Sequence, residues 1–261
     1  MGERNLKREL YFPIIGIIDA ELLMFYSQTL LGLGLHIINF LAIIFIIIFS
    51  KLEIKEKNFL YSLTLVILLR MVNLSTPQFF THTLQQYPLI YGIMFLPIYY
   101  IIKGQNISNE ELGINFKRLY IYVPIAILIG TIAAISEYKI LNPIAMIPDM
   151  KISNIVLITL VMFVFIATAE ELIFRPILQT RLNKIVGIRY SILLSGMLFG
   201  ILHSTYGILN EILFAGIFGV MLSYMFNRTK SLPFTIMIHG VTNTILYGIL
   251  PLIGMFWFKN S

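Results

Sequence analysis

Long apolar runs broken by short polar loops fill the chain. The runs lie at 30–50, 58–73, 87–102, 118–136, 154–174, 189–206, 208–226 and 233–258. An α-helix needs roughly 20 apolar residues to cross a hydrocarbon core, so the pattern predicts about eight transmembrane helices. Within the runs apolar side chains are continuous rather than alternating, which excludes a β-barrel. The runs at 58–73 and 87–102 are short, which implies upright helices or ends placed further out. Residues 1–29 read two ways: Arg4, Lys7 and Arg8 precede an apolar stretch with Asp19 and Glu21, which suits an interfacial segment or a further span. That stretch has no small-residue cleavage site and runs straight into the next span, which argues against a signal peptide. The expected fold is all-α, a polytopic transmembrane helical bundle without internal repeats.

Composition agrees. Hydrophobic residues make up 58% of the 261 and charged residues 12%. A soluble domain has about 25% charged residues, so too few remain here to cover a water-facing surface. The absence of cysteine rules out disulfides, thiolate metal sites and a cysteine nucleophile. A net charge of +6 in so apolar a chain points to basic loops at an anionic membrane face rather than to nucleic acid. Loops 51–57, 103–118, 175–189 and 227–232 carry three, three, four and two Lys or Arg, whereas 74–86, 137–152 and 204–207 carry none, two and none. The positive-inside rule puts the first set in the cytoplasm of a multi-pass plasma-membrane protein. The N-terminal basic cluster fits only if residues 10–29 also cross or re-enter.

Ionisable side chains inside a span cost on the order of 2.5–3.5 kcal/mol each, and they mark functional sites. Glu170, Glu171, Arg175, His203, His239 and Asn243 fall in the late apolar runs. Glu171 and Arg175 are four apart and form an ion pair on one helix face. Glu170 points about 100° away and is left for chemistry. Pro176 predicts a local kink. If one helix runs to about Asn183 and the next starts near Arg189, Glu170 and His203 both lie roughly 20 Å from the turn. His239 and Asn243, four apart, share a face about 10 Å beyond the basic loop at 227–232. Gly196 and Gly200 form a GxxxG, and Ala215 and Gly219 share that spacing, which allows close helix approach. Asp19, Glu21, His36, Arg70 and Glu211 are isolated from one another in sequence. Asp19, Glu21 and Arg70 read as interfacial, and Glu211 as lining a substrate route or, preferred, as a helix end near water.

The set suits hydrolysis by activated water. Glu170 and His203 would hold and deprotonate the water, and His239 with the Asn243 amide would donate to the oxyanion. The competing version puts a divalent metal such as zinc on Glu170, His203 and His239. The absence of an HExxH motif weakens it, and the favoured mechanism requires no cofactor.

These residues carry a resemblance. Glu170-Glu171-Leu172-Ile173-Phe174-Arg175 resembles the EExxxR motif of the CAAX-protease and bacteriocin-processing (CPBP) family, of CAAX prenyl protease and Abi type. Phe199 to His203 is similar to its FxxxH motif, and His239 to Asn243 to its HxxxN motif. The resemblance covers about residues 118–258 and implies a catalytic helical core at 118–261 behind an N-terminal membrane segment at 1–117. It implies an intramembrane endopeptidase with its site near the cytoplasmic face, long labelled metal-dependent and since read as glutamate-type. The implied partner is a membrane-anchored peptide or protein, with a prenylated tail as one option. In that reading Glu170 activates water beside His203, Glu171 and Arg175 support them, and His239 and Asn243 bind the oxyanion. Pro176 departs from the family, where many relatives carry glycine. Two other functions stay open: a non-catalytic bacteriocin-immunity or scaffold protein of the same fold, and a proton-relay transporter, which the lack of repeats disfavours.

Overall fold

The computed structural model describes residues 7–79 and 84–258, with backbone alone for 75–79 and 255–258. Arg4, residues 80–83 of the 74–86 loop and residues 259–261 lie outside the described residues. Every described element is helical: α1 (Arg8–Phe25), α2 (Thr29–Phe49), α3 (Ile54–Phe79), α4 (Tyr87–Gly104), α5 (Leu119–Leu141), α6 (Ile152–Val186), α7 (Ile188–Ile201), α8 (Leu209–Thr229) and α9 (232–258). Single 3₁₀ turns at Leu84–Gln86 and Ser204–Tyr206 complete the described elements.

Seven of these helices, α2 to α6, α8 and α9, are long and apolar enough to cross a membrane. The predicted span at 189–206 is instead α7, of 14 residues, followed by the Ser204–Tyr206 turn. At 1.5 Å per residue it reaches about 21 Å, short of a hydrocarbon core. Helix α6, with 35 residues, is the opposite case. Its length of roughly 50 Å exceeds the core, so its basic end projects beyond it. There Arg181 and Lys184 both pair with Glu111 of the 103–118 loop, at 2.7 and 3.2 Å.

Helix α1 turns back on α2, and Lys7 at its start bonds Glu56 of α3 at 2.9 Å. That bond holds the Lys7 ammonium above its ordinary pKa. It also places the start of α1 beside the basic 51–57 loop, so α1 runs antiparallel to α2 through the bundle. Glu21 is accordingly no interfacial residue. It is fully buried, takes both Nε and Nη2 of Arg70 at 2.7 Å, and meets His36 Nε2 at 3.0 Å and Ser204 Oγ at 2.5 Å. Arg70 also donates to the Leu202 carbonyl. Burial drives this union: carboxylate and guanidinium cannot stay unpaired inside the bundle. Asp19 alone of the three faces outward.

Helix α6 widens into i→i+5 turns at Val161–Ala167 and Ile173–Gln179, on either side of Glu170 and Glu171. The second stretch contains Pro176, whose missing N–H and ring bulk disfavour the tighter α-turn. The Phe174 carbonyl in that stretch accepts from Ser195 Oγ of α7 at 2.9 Å. Gly187 joins α6 to α7 at φ +84°, a backbone that favours glycine. Helices α7 and α8 then touch backbone to backbone: a Cβ on Gly196 would lie 2.4 Å from the Val220 backbone, and one on Gly200 2.5 Å from Gly216 Cα. This close seam holds the end of α7, and with it His203, against α8.

Candidate active site

Three late helices bring their polar residues to one cavity of about 290 Å³. Glu170 comes from α6, His203 from just beyond α7, and His239 and Asn243 from one face of α9. The hairpin estimate that put Glu170 and His203 at one depth therefore agrees with their shared cavity. Phe199 lines the same space and packs edge-on to His239, with ring centroids 5.7 Å apart. Phe218 of α8 packs on His239 in the same manner at 6.0 Å. Two perpendicular aromatic contacts of this kind restrict the imidazole to one orientation.

Glu171 and Arg175 stand behind the cavity, both fully buried. Arg175 Nε and Nη2 reach the two carboxylate oxygens of Glu171 at 2.9 and 3.3 Å, a forked pair. The remaining nitrogen, Nη1, donates to Ser223 Oγ at 2.7 Å and to the Gly219 carbonyl at 3.1 Å, both on α8. The guanidinium carbon lies 5.3 Å from the centre of the Phe199 ring. Glu171 Oε1 in turn meets His239 Nδ1 at 3.0 Å. That contact assigns the Nδ1 proton to the carboxylate side and aims Nε2 into the cavity, 3.8 Å from Glu170 Oε2. His203 is oriented similarly: its Nδ1 lies 3.0 Å from the Phe199 carbonyl, so Nε2 is the acceptor in the neutral ring.

Glu170 is less free than helical spacing implies. Tyr91 of α4 donates its phenol to Glu170 Oε1 at 2.7 Å, leaving Oε2 toward His239. Arg70 lines the cavity as well, neutralised by Glu21. Sequence reading missed both: Tyr91 is one of 14 tyrosines, and no motif links Arg70 to Glu21. Glu211 also departs from expectation. It is fully buried in the first turn of α8, because its neighbour there is Glu137 of α5 rather than water. Glu137 lines the cavity.

Among the described residues no group of three or more His, Asp or Glu side chains is arranged to hold a metal ion. Nδ1 of His239 faces Glu171 and leaves Nε2 toward Glu170.

Residues 152–245 match the family model described as type II CAAX prenyl endopeptidase Rce1-like. The matched segment is about a third of the chain. It contains Glu170, Glu171, Arg175, His203, His239 and Asn243, and its match agrees with the CPBP motifs. No curated protein and no solved structure matches the chain. Tyr91 and Arg70 reach the cavity from outside the matched segment, and Glu21 touches it only through Arg70. The seven long apolar helices suit an integral membrane protein, and residues 152–245 resemble an endopeptidase family.

Proposed function

We propose that the protein is an intramembrane endopeptidase that hydrolyses a peptide bond of a membrane-associated polypeptide with water activated by Glu170 and His203. The observation that carries this reading is the shared cavity of Glu170, His203, His239 and Asn243, backed by the fully buried Glu171–Arg175 pair. Water between Glu170 Oε2 and His203 Nε2 gives its proton to the carboxylate as its oxygen attacks the scissile carbonyl carbon. The Tyr91 phenol fixes Oε1, so one defined oxygen receives that proton. The carbonyl oxygen gains charge and is met by the Asn243 amide and by Nε2–H of His239 in its doubly protonated ring. Glu171 accepts from Nδ1 of that ring and stabilises it. As the tetrahedral centre collapses, the carbon–nitrogen bond breaks and Glu170 returns its proton to the leaving amine. The products are a new carboxyl terminus and a new amino terminus.

The same cavity in a non-catalytic immunity protein would not need Glu170 as a proton acceptor, so one experiment separates the two. Purified protein is incubated with a peptide mixture, with and without a chelator, beside Glu170→Ala, and products are read by mass spectrometry. The proposal expects cleavage that persists in chelator and is absent in Glu170→Ala. Cleavage lost to the chelator would overturn the metal-free mechanism, and cleavage retained in Glu170→Ala would overturn the assignment of the site.

A further inference from the structure

We propose that a groove between α1, α7 and α8 is a binding site for one acyl chain of a bilayer phospholipid. The inference stands apart from the endopeptidase reading. The groove has a volume of about 520 Å³ and is lined by eleven aliphatic or methionine side chains and one glycine. Apart from the Met197 thioether its lining side chains carry no polar group, so the ligand it suits is hydrocarbon along its whole length. No aromatic ring lines it either, so nothing there stacks a planar ligand.

The groove opens on the face that the bilayer covers. Its rim residues Met197 and Ile217 are 62% and 73% exposed, and α8 is long and apolar enough to span a membrane. On α8 the wall runs from Ile212 to Val220, roughly 5 to 17 Å along the helix, which keeps the groove within one leaflet. Gly216 is its floor. A Cβ there would meet its nearest atom, Gly200 Cα, at 3.9 Å, an ordinary contact. Alanine would therefore fit and would favour the helix, and glycine instead keeps the groove deep. Apolar walls with nothing between them forfeit dispersion contacts, and such spaces take up apolar ligands.

Helix α7 stands between this groove and the catalytic cavity. Leu194, Met197, Leu198 and Ile201 follow the i, i+3, i+4, i+7 spacing of one helical stripe and line the groove. Phe199 and His203 line the cavity instead, and the two spaces share no lining residue. A lipid tail joined to a peptide beside Glu170 would have to pass around α7 to reach the groove, whereas bilayer chains already lie against its rim. The occupant is thus a chain of the bilayer rather than the anchor of a substrate. It packs on the outer face of the helix that leads into His203.

Full-length protein is placed in phospholipid vesicles containing phosphatidylcholine with a diazirine in the middle of one acyl chain, photolysed, and its adducts are mapped by mass spectrometry. Leu41 and Phe45 of α2, 61% and 63% exposed, are the reference for ordinary lipid contact. The expected result is an excess of adducts at Met197, Leu213 and Ile217 over that reference, lost to the reference level in Gly216→Leu, whose side chain occupies the groove. Groove adducts no more frequent than those on α2 overturn the proposal, and this ratio in the wild type decides even if Gly216→Leu does not fold. So does an excess that persists in a Gly216→Leu protein with the wild-type unfolding temperature. Loss of the groove adducts alone on adding a farnesylated peptide, but not the same peptide without its lipid, overturns the bilayer as the source. Photolabelling needs no turnover, so absent cleavage would defeat the protease reading and leave this result standing.

Discussion

The phenol of Tyr91 donates to Glu170 Oε1 at 2.7 Å, across 79 residues of sequence and from a helix outside the Rce1-like segment. The bond makes α4 part of the proposed water-activating apparatus. It gives Glu170 one satisfied oxygen and one working oxygen.

Tyr91→Phe removes that bond and leaves the ring. A hydrogen bond to a charged group is worth about 1.5–3 kcal/mol, which corresponds to roughly a tenfold to hundredfold loss in rate if it is made to the reacting carboxylate. We expect kcat to fall by that factor with KM nearly constant, as read by steady-state cleavage of a mapped peptide.

Arg70 and Glu21 hold the first three helices to the turn that carries His203. Arg70→Met strands the Glu21 carboxylate in the bundle, a change that costs about 3–5 kcal/mol when a buried pair loses one member. Thermal unfolding in detergent should show a large drop for Arg70→Met and substantial recovery in the double variant Glu21→Met/Arg70→Met. Equal stability of Arg70→Met and the parent would contradict the role given to this pair.

The α7–α8 seam makes a third test. A Cβ on Gly200 would lie 2.5 Å from Gly216 Cα, so backbone must move. Overpacking of this kind costs typically about 1–3 kcal/mol. Gly200→Ala should lower the unfolding temperature and, by displacing His203, lower cleavage as well. Gly34→Ala in α2, where a Cβ meets nothing within 4 Å, should leave both unchanged or raise stability slightly.

Much of this architecture is legible in the sequence because membrane helices announce themselves by length and apolarity. The Glu171–Arg175 pair follows from helical spacing alone, and the three motifs mark the helices that converge. What sequence could not supply is contact between distant helices. Glu21, His36 and Arg70 look isolated because 15 residues and then 34 separate them, yet one carboxylate collects them all. Tyr91 carries no charge to betray it among other apolar aromatics. Glu211 reads as a wet helix end because nothing in its neighbourhood reveals that α5 brings Glu137 against it. The short α7 was hidden by the apolar residues that continue through the turn after it.

In the proposed mechanism Glu170 takes a proton from water beside His203. The most direct measurement of that step is the cleavage rate of Glu170→Gln, which keeps shape and hydrogen bonding but cannot accept the proton, compared with wild type at matched unfolding temperature. General-base catalysis of this kind contributes about 10²–10⁴-fold, so a loss of at least that order is predicted. A Glu170→Gln protein that cleaves within about tenfold of wild type, less than any such contribution, would contradict the account.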